Sequence, residues 1–176
     1  MGYVCELDLA IVMRISGGGI HTKTGREKVL FRELLRWIEA AKGTQQSLSA
    51  PISLTLLSEG CTLHKIACQT LKKHHRPDVI RPIASGVRGL PESVTAGLGI
   101  GCLNLSAIHP TEMFSPTALA LPELPDAEFV LYSRDFSDAT KLRTCASFSQ
   151  ILVLTLDQVS GRMSCDEYPL RKNEAV

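Results

Sequence analysis

The sequence predicts an α/β fold, and three observations carry that expectation. Two strand-then-helix units follow one another between residues 52 and 98. The glycine-rich stretch AGLGIGCL, residues 96–103, stands where a helix pattern ends and a strand pattern begins. Short apolar runs rich in β-favouring residues lie near both ends, at 7–13 and 128–133. Alternation of this kind implies a largely parallel sheet.

Residues 7–13 (LDLAIVM) are stopped by Arg14 and by Ser16-Gly17-Gly18-Gly19, which predicts a buried strand and then a loop. In LFRELLRWIEAAKG, Leu30, Phe31, Leu34, Leu35, Ile38 and Ala41 recur at helical spacing, and Gly43 stands at the C-cap position. Periodicity alone therefore predicts a helix there. After a polar stretch at 44–49, residues 52–57 predict a strand. Residues 62–74 then place Leu63, Ile66, Ala67 and Leu71 on one face of an amphipathic helix that Pro77 ends. A second strand at 79–84 leads to a helix opening near Leu90-Pro91, with proline in a tolerated first turn and Val94 and Leu98 on its apolar face. Residues 100–105 read as a strand, followed by a proline-punctuated crossing from His109-Pro110 to Pro125. EFVLYS (128–133) is the last strand. A helix over 137–153 follows, with Leu142, Cys145, Phe148 and Leu152 along one side.

Gly97, Gly99 and Gly101 invite a phosphate-loop interpretation, which the element order excludes. A dinucleotide or P-loop motif leaves a strand and opens a helix, so that helix N-terminal amides face the phosphate. Here a helix ends and a strand starts, and no GK[ST] follows. Gly97 is expected to adopt the left-handed C-cap conformation, and Gly99 and Gly101 to allow close helix–strand packing.

Composition narrows the function classes. The chain of 176 residues is 44% hydrophobic and 21% charged, which suits one globular domain and argues against disorder. With aromatics at 5% and a formal net charge of +1, neither stacking platforms nor a basic footprint for nucleic acid or an anionic membrane is expected. No stretch approaches the roughly 20 apolar residues of a membrane span. Glu6 and Asp8 stand where a secretory leader needs an uncharged apolar core. The six cysteines form no CxxC pair, and several lie in apolar segments as reduced core thiols do. A cytoplasmic protein is expected.

Candidate chemistry is sparse. Cys61, His64 and Cys68 at i, i+3 and i+7 could share a helix face and ligate a soft metal ion, or serve a thiol enzyme. No fourth ligand is near in sequence. The plainer expectation is a capping thiol, a surface histidine and a core cysteine. His74-His75 suit the last turn of a helix, where the dipole favours a cation. No catalytic constellation and no cofactor is predicted. Two strand-to-helix corners remain: Ser58-Glu59-Gly60-Cys61-Thr62 and Ser85-Gly86-Val87-Arg88. Ligands of open α/β sheets sit beyond the carboxyl ends of strands, where hydroxyls, glycines and free helix amides can receive a small anion.

Taken together, ELDLAI, ISLTLLSEGCTLHKIACQTL and IASGVRGLPESVTAGLGIGCL resemble the effector-binding domain of LysR-type transcriptional regulators. Val94, Ala96, Gly97, Leu98, Gly99 and Ile100 match that family's Val-x-Ala-Gly-Leu-Gly-Ile signature in order, and the similarity runs from about residue 6 to 153. The resemblance implies a type 2 periplasmic-binding-protein-like fold of two α/β subdomains with a cleft, the first subdomain incomplete. The partial domain would cover residues 6–155, with the second subdomain at about 40–110 and a polar tail at 156–176. Two crossings would act as hinge. It also implies that residues 34–39 are extended, against the periodicity. Effector contacts would come from Val12 and Met13, from Ser58, Glu59, Gly60 and Cys61, and from Ser85, Gly86 and Val87. The implied ligand is a small metabolite, often a carboxylate in that family.

The sequence departs from the family pattern in two ways. The helix-turn-helix, the linker helix and the opening of the effector domain have no counterpart here, and Asn104 stands where a proline usually ends the signature strand. The expectation is a truncated sensing domain without direct nucleic-acid or membrane contact. Its incomplete first subdomain would expose apolar surface and edge groups, favouring homo-oligomers or association through that edge. A solute-binding protein of the same fold is the alternative.

Overall fold

In the computed structural model, the described residues are 7–16, 26–41, 50–81, 86, 88–108, 111–135 and 137–160. Glu6, Gly17 to Gly19, Gly43, the 44–49 stretch, Ser85, Val87, His109-Pro110 and residues 161–176 lie outside them. The chain divides into two compact units. Unit 1 comprises residues 1–32 and 127–167, and unit 2 comprises 33–126 with 168–176.

Unit 1 holds β1 (Leu9–Ile15), β2 (Arg26–Glu33, whose last residue belongs to unit 2), β8 (Ala127–Ser133) and α3 (Ala139–Ser160). The sheet order is β1-β8-β2, with β1 and β8 antiparallel and Leu9 opposite Ser133. Phe31 and Phe129 stack with ring centroids 4.5 Å apart, joining β2 to β8 through an aromatic cross-strand pair. Asp138 opens α3 by accepting the Thr140 amide at 2.7 Å, as an N-cap carboxylate does.

The predicted apolar side of α3 packs only in part. Cys145, Ser149 and Leu152 are half-buried, whereas Leu142 and Phe148 are exposed, along with Ile151 and Leu154. The helix also continues to Ser160, beyond the predicted end at 153. Ile11 and Val29 are exposed on the sheet, so unit 1 carries apolar surface on both layers.

Unit 2 contains β3 (Leu35–Ala40), β4 (Ile52–Leu54), α1 (Thr62–Lys73), β5 (Asp78–Ile80), α2 (Gly89–Thr95), β6 (Gly101–Asn104) and β7 (Met113–Phe114). β3 is central in the order β6-β3-β7 and antiparallel to both neighbours. The helix predicted over 30–41 is therefore a pair of strands. The physical reason is burial on both faces: Leu35 and Trp37 are buried on one side of β3, Ile38 and Ala40 on the other. Apolar residues at both parities imitate helical spacing. Trp37 is anchored further by donating its indole N–H to the Pro122 carbonyl at 2.7 Å.

The largely parallel sheet expected from alternation is also corrected. Among the described residues, parallel pairing is confined to β4 with β5, plus a bridge between Leu54 and Ile100. Only residues 52–100 are built from consecutive strand–helix units, which require parallel neighbours. Elsewhere strands distant in sequence are brought together antiparallel, as β1 is with β8.

The glycine stretch is structural, as expected. At the end of α2, Gly97 adopts φ +74°, while its N–H donates to Val94 O and the Leu98 N–H to Ser93 O. These are the two bonds of a Schellman motif. Leu98 lies outside the helix and is exposed, so it does not extend the apolar face. Gly101 fits beneath α2 and β3, where a Cβ would meet Val94 at 2.7 Å and Ile38 at 3.3 Å. Gly99 lies instead against the β4 backbone, so its close approach is to a strand and not to a helix.

Candidate functional site

The two corners singled out by the sequence both belong to unit 2, and the sheet fixes their placement. β4 pairs in parallel with β5 in the register Ile52 with Asp78 and Leu54 with Ile80. The pairing continues as the Arg81 N–H donates to Leu54 O at 2.8 Å. Parallel neighbours finish at the same edge. The segment after β4 (55–61) and the segment after β5 (81–88) therefore both leave from the carboxyl edge of this sheet.

They also rest on one apolar floor. Leu57 in the first corner and Leu90 and Val94 in α2 belong to a single core cluster with Ile38, Leu103, Ile108 and Met113, and Cys61 packs against it.

The first corner is a tight turn in which the Cys61 N–H donates to Ser58 O at 2.8 Å. Ser58, Glu59 and Gly60 are exposed, and Cys61 is half-buried. Cys61 occupies the N-cap of α1 in extended conformation and makes no side-chain capping bond. The capping thiol of the sequence expectation is thus a position and not an interaction. The first turn of α1 contains no acidic residue, so the acid nearest in sequence to the positive end of the helix dipole is the exposed Glu59 of the corner.

His64 is the residue that sequence reasoning placed wrongly. It is buried, 6% exposed, and its Nδ1–H donates to the Leu57 carbonyl at 2.7 Å. A ring on α1 thus ties the helix back to the start of its own corner, replacing a backbone partner that an irregular buried segment lacks. The apolar residues flanking His64 could have hinted at burial, but nothing local identifies Leu57 as its acceptor. Cys68, the expected core thiol, is half-buried, and its pKa is raised chiefly by burial. Among the described residues no three His, Cys, Asp or Glu side chains gather closely enough to hold a metal ion.

In the second corner Gly86 is exposed with φ +94°, a conformation in which a side chain would be strained, and its carbonyl accepts the Gly89 N–H at 3.1 Å. Arg88 caps α2 without a side-chain bond, and both Arg81 and Arg88 are exposed. Ser85 and Val87 lie outside the described residues. Val12 and Met13, the remaining predicted contacts, are half-buried in β1 of unit 1, facing Val130 and Phe129 across the sheet.

Unit 1 has polar chemistry that no sequence motif announced. Glu128, 3% exposed, accepts hydrogen bonds from Arg14 and Arg32, and Arg14 also bonds Glu27 at 2.7 Å. The Arg14 hydrogen bond, then that of Arg32, holds the Glu128 carboxyl below its ordinary value against the opposing effect of burial. Arg14 and Glu27 are 13 positions apart, Arg32 and Glu128 96, and Arg14 and Glu128 114, so periodicity could not connect them. A shallow recess of about 130 Å³ lies between α3 and the ends of β2 and β8, lined by Arg26, Ser133, Arg134 and Cys145 among others.

No family sequence model and no curated protein sequence matches this chain. Solved structures do. The regulatory domain of HypT from Salmonella typhimurium, in its apo form, superposes with a TM-score of 0.66 at 16% identity, covering 84% of this chain and 73% of that one. The CcmR regulatory domain of Synechocystis PCC6803, in complex with 2-PG, gives 0.63 at 14% identity over 86% and 74%. Full-length HypT, described as a hypochlorite-specific LysR-type transcriptional regulator, gives 0.64 at 16% identity over 86% of this chain and 53% of that one. The shared feature is the type 2 periplasmic-binding-protein-like α/β fold.

Proposed function

We propose, starting from a chain that has the fold of LysR-type regulatory domains, that it senses a small-molecule effector and carries out no chemistry of its own. The observation that carries this proposal is the parallel pairing of β4 and β5, which brings two β-to-α corners to one sheet edge over a common core. The effector contacts would be Ser58, Glu59, Gly60 and Cys61 with Ser85, Gly86 and Val87. A small anion suits these corners. The free first-turn amides of α1 and the exposed guanidinium of Arg88 favour negative charge, and a metabolite carboxylate is the class we assign. The CcmR and HypT domains were solved with 2-PG and with a bromide ion respectively, so domains of this fold hold small ligands, an anion among them.

The sensing domain would span residues 6–155, with its second subdomain at about 40–110 and the 156–176 tail outside it. It would act in the cytoplasm without touching nucleic acid or membrane directly. No helix among the described residues is long and apolar enough to cross a membrane. Copies would associate through the exposed apolar surface of unit 1. Effector binding would act by favouring one conformation over another, since a ligand shifts an equilibrium only by its difference in affinity for the two states.

The test is binding by the intact chain. Calorimetric titration with a panel of two- to four-carbon carboxylates is expected to give saturable binding to at least one member. That binding should be lost in Gly86→Val, which strains the second corner, and retained in an exposed α3 variant such as Gln150→Glu. Binding that survives Gly86→Val undiminished would place the site elsewhere.

A further inference from the structure

The chain leaves unit 1 between Arg32 and Glu33 and returns between Asp126 and Ala127. The side chains beside these two crossings are tied together. Glu128, two residues past the return, is 3% exposed. Its Oε1 accepts from Arg32 Nε at 3.0 Å and Nη2 at 2.9 Å, and its Oε2 accepts from Arg14 Nε at 3.1 Å. Arg32 is the last residue of unit 1 before the first crossing. One buried carboxylate therefore joins the root of the outgoing strand to the root of the returning one, with Arg14 of β1 as the third member.

The next residue is fastened differently. Glu33 accepts the Asn104 side-chain amide at 3.1 Å and the Ser106 backbone N–H at 2.5 Å, and the neighbouring Leu34 carbonyl accepts the Leu105 N–H at 3.0 Å. All of these partners belong to unit 2. Asn104, which replaces the family's usual proline, supplies one of the two donors to Glu33.

Two consecutive side chains thus bind to different units. A buried carboxylate cannot lose its guanidinium partners without leaving an uncompensated charge, so the roots of the two crossings resist separation. We propose that Glu128 clamps both crossings at their roots in unit 1, so that the two roots loosen together, while Glu33 secures the following residue to unit 2. The clamp uses only this chain's own side chains, so it does not depend on which effector binds.

Amide hydrogen exchange on the intact chain tests it, with Arg32→Gln, Glu128→Gln and Glu33→Ala compared with the parent. The Arg32 side chain is 69% exposed, so Arg32→Gln removes its bonds to Glu128 while threatening the fold least. Loss of this charged pair is expected to speed exchange about tenfold at 30–33 and at 127–130 together, with β1 unchanged. Glu128→Gln is expected to show the same paired response more strongly. Glu33→Ala is expected to speed exchange at 104–107 and leave 127–130 as in the parent. If Arg32→Gln affects one crossing alone, neither, or β1 equally, the clamp is overturned. It is overturned too if Glu33→Ala loosens 127–130.

Discussion

Gly99 and Ser53 approach so closely that a Cβ on Gly99 would lie 2.9 Å from the Ser53 carbonyl oxygen and 2.9 Å from the Thr55 nitrogen. The contact is backbone on backbone, flanked by the Ile100 N–H donating to Ser53 O and the Thr55 N–H donating to Ile100 O. No rotamer change can relieve it. Gly99→Ala is therefore expected to cost about 1–3 kcal/mol in a urea unfolding curve. A neutral result would mean that β4 and the Gly99 backbone do not meet as described.

Helix ends provide a paired prediction of opposite sign. α1 and α2 both close with Schellman bonds, but α2 uses Gly97 at φ +74° where α1 uses His75 at φ +53°. Gly97→Ala is expected to destabilise by about 1 kcal/mol, because a Cβ is strained in that region. His75→Gly is expected to stabilise by about 0.5 kcal/mol, the strain relieved being partly offset by added freedom of the unfolded chain. Thermal melts of both variants check the pair.

Acid sensitivity should run through Glu128. Its folded pKa lies below the ordinary 4.5, the hydrogen bonds from Arg14 and Arg32 outweighing burial, with Glu27 the other acid bound to Arg14. A group whose pKa is depressed on folding stabilises the protein above its unfolded value and loses that contribution as pH falls through the folded one. The urea midpoint is thus expected to hold near neutrality and to fall from about pH 5 downward. Glu128→Gln should show a lower midpoint at neutral pH and a flatter acid limb.

Cys102 is 0% exposed, lies opposite Trp37 in the sheet, and has its pKa pushed up to about 12 by burial. It is expected to react with an alkylating reagent only as fast as unit 2 opens, whereas the half-buried Cys61 and Cys145 react first. Peptide mapping of a timed alkylation checks the order. Early labelling of Cys102 would contradict the packing of β6 on β3.

The legible part of this molecule is the part built from consecutive units. From 52 to 105 the amphipathic spacing of Leu63, Ile66, Ala67 and Leu71, the Gly97 cap and the strand that follows it are readable, because local periodicity and turn chemistry decide them. Residues 26–40 were misread by periodicity, because β3 is buried on both faces and its apolar residues occur at both parities. The family resemblance placed 34–39 correctly as extended, which pattern alone could not do. His64 and Glu128 were illegible for another reason. A buried polar group is defined by its partner, and Leu57 O for the one and Arg32 for the other are chosen by tertiary structure. Of the candidate site, the corners after β4 and β5 could be read from strand and helix boundaries, while their common edge required the parallel register.

Exposed apolar side chains on unit 1 predict self-association. Phe148, Ile151 and Leu154 are 55%, 63% and 58% exposed on α3. Sedimentation is expected to show a concentration-dependent rise in mass that Ile151→Glu diminishes. A monomer at all concentrations would remove association from the account.

The corner site itself is tested most directly by backbone amide NMR of the chain during titration with small carboxylates, acetate through succinate, and with sulfate as the inorganic control. The account predicts saturable shifts that appear together at residues 58–62 and 85–88 with a single midpoint. Shifts confined to one corner, or spread over surface lysines without saturation, would contradict a shared effector site.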